Sequence, residues 1–268
     1  MPSRIAQTLC TTLFLLTLFF IDKSTEDSLW VLIPTGILAL ASFVFGSLIN
    51  QKWYQRNPPK LSDYELNWVK RFFPFYKNLP KIAQDHFCNQ LAIQLTEKQF
   101  TSMSEKEMPE ELKIMALAPA IRLNLSFKDP AVKHYGRIVF YHHAFPSPEQ
   151  QYLHLSETQD EDGVIILASD ALEAAYVKPD AFFNIALYEW ACIFIKIHKM
   201  PATFKLDADL IWSIICKILV TEEKKLQNYM GQMNLNIVAI LVYCYIMYPE
   251  KLQKESADIF NFYKTIID

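Results

Sequence analysis

Tyr188, Glu189 and Cys192 are spaced as a hydrolytic site would space its residues. They sit in the apolar run Asn184-Ile185-Ala186-Leu187-Tyr188-Glu189-Trp190-Ala191-Cys192. An HExxH helix puts two His four residues apart on one face to hold zinc, with a Glu after the first His as general base. Here the Glu stands at 189 and the two ligand positions hold Tyr188 and Cys192. A phenol with a pKa of about 10 is a poor zinc ligand at neutral pH. Cys192 ligates only as the thiolate. Without a metal nothing lowers the pKa of an attacking water, and Glu189 alone does not replace that.

Other groups offer little help. His142 and His143 are adjacent, so on a strand they face opposite ways. His198 follows Cys192 by six residues, about 600° around a helix, and points away from that face. Cys192 with Glu189 or a His as base would be a thiol nucleophile, but no Cys–His spacing supports it; an inert buried thiol is the simpler reading.

The elements that must position these residues follow from patterning. Asp180 is placed to cap an apolar helix over 181–198, ended by Met200-Pro201. Before it, helices are expected over 62–73, 81–100 and 112–125, the last kinked at Pro119. Residues 75–80 read as a connector. Strands are expected at Arg137-Ile138-Val139-Phe140-Tyr141 and Val164-Ile165-Ile166-Leu167, with a shorter one around Tyr152-Leu153-His154-Leu155. A short helix over 170–175, one from Asp207 or Asp209 through Leu219, an apolar one over 234–247 and an amphipathic one over 256–267 complete the pattern.

With 51% hydrophobic residues, 268 residues can build a sizeable core. The net charge of −3 supplies no basic field, so nucleic acid is not an expected partner. Five scattered Cys without a CxxC pair suit buried thiols in a reducing compartment. The N-terminal end is different. Two uncharged runs, about 5–21 and 29–49, would span roughly 26 and 32 Å as helices. Arg4 flanks one outer end, Lys52 and Arg56 the other, and the turn between is acidic. This reads as a transmembrane hairpin with both ends, and all that follows, in the cytoplasm. No small-residue cleavage site follows the first run. The expected division is a membrane part over 1–56, a linker and leading helix over 57–74, and a cytoplasmic domain over 75–268.

From about Phe75 to Ile267 the chain resembles the MtfA-type zinc-dependent peptidases, a zincin-like family. The resemblance rests on Leu91–Phe100, Met115-Ala116-Leu117-Ala118-Pro119-Ala120, the two strands, Ala171–Ala175, the 184–192 helix and Leu235–Pro249. It implies an α+β, mainly α, zincin-like domain with a small sheet, behind the membrane hairpin. It also implies roles. Tyr188 and Cys192 stand where the family has its zinc His pair, and Asn236 where it has the third ligand, a Glu. Glu189 takes the general-base position, and Tyr229 that of a Tyr aiding oxyanion stabilisation. All three ligand positions have changed. The expectation is a pseudopeptidase without zinc, anchored in the bilayer, binding a protein or peptide in the old substrate cleft. The rival is an active membrane-bound zinc peptidase using non-standard ligands, and a third reading is a purely structural membrane protein.

Overall fold

A computed structural model describes residues 2–20, 27–103, 108–127, 131–148, 150, 152–200 and 207–268. The polar turn expected after the first apolar run lies almost entirely outside them. The chain divides into Met1–Lys60 and Leu61–Asp268.

The first unit is helical: α1 (Pro2–Phe20), α2 (Asp27–Val44) and α3 (Gly46–Arg56). α1 and α2 lie side by side, with the Thr17 and Thr35 hydroxyls 3.3 Å apart. Gln7 Nε2 donates to Ser42 O at 3.4 Å, and Ser3 N to Asn50 Oδ1 at 2.8 Å. α1 exposes Ile5, Leu9, Leu13, Leu16 and Phe19 and is by itself long and apolar enough to cross a bilayer. The second apolar run differs from the single straight span expected. It bends by 65° at Phe45, between α2 and α3, and reaches spanning length only if the bent pair is one span. The turn packs tightly on α1, since a Cβ on Gly46 would lie 3.0 Å from Gln7 Nε2.

The second unit begins with α4 (Asp63–Phe72), closed by a reciprocal capping box between Ser62 and Glu65. α5 (Pro74–Asn78) forms where a connector was expected, with Pro74 in its first turn. α6 (Lys81–Glu97) leads into β1 (Gln99–Ser102), and α7 (Glu110–Leu123) follows. Then come β2 (Arg137–Tyr141), β3 (Ser156–Gln159), β4 (Val164–Ala168) and α8 (Ser169–Val177). The rest is helical: α9 (Ile185–Ile197), α10 (Ala208–Leu219), α11 (Glu223–Met230), α12 (Ile237–Met247), α13 (Pro249–Glu255) and α14 (Ala257–Ile267). The fold is mostly helical with one small sheet.

The sheet order is β1-β2-β4-β3. β1, β2 and β4 run parallel, and β3 closes one edge antiparallel to β4. β2 and β4 fall where expected. β1 replaces the end of the helix expected to reach Phe100, because Gln99–Ser102 pair with Arg137–Phe140 and long-range pairing overrides local periodicity. The shorter strand lies at 156–159 instead of around 152–155, where His154 makes only an isolated bridge to Phe145.

α9 packs against α7, α12 and β3, and Ile185 through Ala191 are all buried. Its cap is Asn184, whose side chain accepts from Leu187 N at 3.0 Å, so the helix starts four residues later than an Asp180 cap would place it. Pro119 lies inside α7 and has no N–H for Met115 O, which instead accepts from the Tyr176 hydroxyl at 2.9 Å. One carbonyl along, Ala116 O accepts from the Trp190 indole at 2.7 Å, locking α9 to α7.

α11 ends in Gly231 at φ +71°, and the chain there runs against the start of β3. Met230 O accepts from Leu155 N at 3.1 Å, and Gln232 Nε2 donates to Ser156 O at 2.6 Å. A Cβ on Gly231 would meet Leu153 O at 2.0 Å. Gly231→Ala is therefore expected to destabilise the protein by about 2 kcal/mol or more, combining left-handed strain with a backbone clash. Thermal unfolding of the full chain checks this; an unchanged midpoint would refute the close approach.

Candidate functional site

α9 presents Tyr188 and Cys192 on one face and Glu189 on the next, as the helical period requires. The Tyr188 hydroxyl accepts a hydrogen bond from Asn236 N at 3.0 Å. Tyr188, Cys192 and Asn236 therefore come together at one place, with the Cys192 thiol beside the Tyr188 phenol. They do not face one another across an open cleft, because Tyr188 is only 3% exposed. Asn236 is the N-cap of α12, and its side-chain oxygen accepts from Val238 N at 3.1 Å and Ala239 N at 3.2 Å.

The chemistry of these donors is unfavourable to zinc. Burial, then the charges of Cys192 and Glu189, push the Tyr188 phenol far above its ordinary value. Burial, then the charge of Glu189, likewise raises the Cys192 thiol, which opposes the thiolate. The Asn236 oxygen is neutral and already occupied by helix N–H groups. Catalytic zinc takes about three good protein ligands plus water, and this set does not fit that demand. Among the described residues no group of three or more His, Cys, Asp or Glu is arranged to hold a metal ion.

Glu189 points the other way, to the sheet edge. Its carboxylate accepts from the Ser156 hydroxyl at 2.7 Å and the Thr158 hydroxyl at 2.6 Å. Ser156 and Thr158 alternate on β3 and so share one face. Behind them His154 Nε2 meets Glu157 Oε2 at 2.9 Å, both side chains buried. Burial raises the Glu189 pKa; the two hydroxyls and His154 oppose the rise, and the Glu157 charge adds to it. Sequence reasoning missed this partner set. Its one signal was a period-two polar pair, Ser156 and Thr158, in a segment whose composition is not that of a strand.

The remaining residues separate. Tyr229, on α11, stands beside Phe182, with ring centroids 6.5 Å apart. Its shielded hydroxyl has no hydrogen-bond partner among the described residues. Burial, then the charge of Asp170, pushes it up to about 12. The Tyr243 hydroxyl accepts from Asn184 N at 3.3 Å, tying α12 to the start of α9. His198 is committed to Asn124 at 3.2 Å and to the Phe127 ring. His143 pairs with Asp170 at 2.7 Å on the surface, beyond the end of β2.

Residues 49–194 match the model of the glucose-regulated metallo-peptidase M90 family. The chain belongs to that family, with a zincin-like domain, and is a degenerate member: the HExxH histidine positions hold Tyr188 and Cys192. The match covers α9 as far as Phe194 and stops before Tyr229 and Asn236. No curated protein and no solved structure matches the chain.

The raised Glu189 pKa fixes a pH dependence. An acid whose folded pKa lies above its unfolded value adds stability below the unfolded pKa, near 4.5, and loses it as pH rises through the folded one. Glu189→Gln removes this. The stability of the native chain minus that of the variant should fall as pH rises from 4.5 towards neutrality; chemical denaturation across that range tests it, and a difference growing with pH would contradict it.

Proposed function

We propose that the chain is a membrane-anchored pseudopeptidase: a family member that holds no zinc, does not hydrolyse peptides, and acts by binding or scaffolding a protein or peptide on its old substrate side. One observation carries this reading. The Tyr188 hydroxyl is bonded to the Asn236 backbone, so non-ligand groups fill the place where a zincin-like site would hold its metal. Glu189 and Tyr229 are then relics of the base and oxyanion positions. The Glu189 carboxylate holds β3 to α9, and Tyr229 faces a recess.

Zinc content tests the proposal. The full chain, purified in detergent from zinc-replete cells, is expected to carry far less than one zinc per molecule. About one zinc per chain, held with micromolar or better affinity, would overturn the zinc-free reading, and peptide cleavage by the same sample would establish the rival, an active peptidase with non-standard ligands.

Anchoring rests on α1 and the bent α2–α3 pair, with Arg4, Lys52 and Arg56 at the outer ends favouring the cytoplasmic side of the inner membrane. The five thiols, all unpaired, suit that compartment. The protein should stay with membranes after alkaline carbonate extraction, and Leu61–Asp268 should be cleaved by protease added from the cytoplasmic face alone. Release by carbonate would remove the anchor from the proposal.

A further inference from the structure

The 178–184 turn between α8 and α9 closes a cavity of about 230 Å³ against α10, α11 and α12. Its walls are aromatic: Phe182, Phe183, Tyr229, Tyr243 and Tyr248. Phe183 and Tyr243 stack at 4.1 Å between centroids. Phe182 and Tyr229 form one side and also line a second recess, where Asp170 stands beside Leu155. Two charged residues belong to the lining of the first cavity, Asp180 and Lys225. They are not equivalent. Lys225 Nζ is held by Glu222 at 2.9 Å, whereas Asp180 is exposed and has no ion pair among the described residues. The charge left over is negative.

Ring faces carry negative potential and attract ammonium groups. One ring here already does so: Lys251 Nζ, outside the cavity lining, lies 4.6 Å from the Tyr248 centroid. The Tyr229 hydroxyl adds a shielded oxygen with no partner among the described residues, which an N–H donor would satisfy. A neutral apolar guest would leave this oxygen unmet.

We propose that this cavity takes the ammonium of a lysine side chain on a polypeptide partner, with Asp180 as counter-charge and the rest of the partner crossing Phe182 and Tyr229 into the second recess. The shared wall between the two recesses argues for a chain longer than one side chain. The proposal rests on the binding role inferred above and names the class of partner.

The test titrates the full chain in detergent with acetyl-Ala-Lys-Ala-amide, the same peptide with the lysine acetylated, the leucine analogue, and butylammonium. The lysine peptide should bind saturably, and the acetylated and leucine peptides about 10-fold more weakly or worse. Asp180→Asn and Phe182→Ala should each weaken the lysine peptide by about 10-fold. Both side chains reach solvent, and an unchanged unfolding midpoint confirms that the variants fold. Equal binding of the three peptides, indifference to Asp180→Asn, or no saturation at millimolar lysine peptide would overturn the proposal. Butylammonium binding as tightly as the peptide would overturn the polypeptide occupant. Zinc is measured on the same sample. Absent zinc with no lysine binding sinks this inference alone, whereas bound zinc with peptide cleavage sinks the pseudopeptidase reading.

Discussion

The hydrogen bond from Asn236 N to the Tyr188 hydroxyl joins the middle of α9 to the start of α12. In the proposed reading, Tyr188 and Cys192 on α9 and Asn236 at the start of α12 stand at the former ligand positions. In this chain a phenol spans the gap. Burial keeps that phenol protonated and neutral, so the contact has no charge to desolvate and needs no proton release. The same burial that makes Tyr188 a sound structural bridge makes its phenol an unfavourable metal ligand. The surrounding core is packed on all sides of this contact, with α7, α9 and α12 contributing most of its buried residues.

Glu189 shows the other half of the rearrangement. A buried carboxylate without partners would be costly. Two hydroxyls from the edge strand meet it, so the residue ties α9 to the sheet instead of facing open solvent. The His154–Glu157 pair behind it makes the sheet edge a polar seam in an otherwise apolar interior. Such a seam contributes register more than net stability, because desolvation offsets much of its electrostatic gain.

Much of this was legible in the sequence where local pattern and tertiary fate agree. β2 and β4 are β-branched runs buried in the sheet interior, and α12 is apolar throughout because it is buried all round. The degenerate motif was legible because its spacing persists after its ligands are gone. The rest depended on distant partners. β1 and β3 are short edge strands whose side chains are mixed or polar, so only pairing with β2 and β4 reveals them. Asp180 has the chemistry of a cap, yet Asn184 captures the helix start, its side chain accepting from Leu187 N while its own N–H donates to the Tyr243 hydroxyl. The bend at Phe45 depends on Gly46 packing on the first helix, which hydropathy does not report. That the ligand positions close on themselves, leaving the openings around Phe182 and Tyr229, was not readable from the motif.

Thermal unfolding of the full chain and of Tyr188→Phe, each with and without a strong chelator, is the most direct measurement of the central claim. If the phenol has taken over the structural place of a metal, chelator leaves the native midpoint unchanged. Losing the hydroxyl then costs about 1 kcal/mol, roughly 2–4 °C for a domain of this size. A native midpoint that falls with chelator, together with a Tyr188→Phe variant that unfolds like the native chain, would contradict the account.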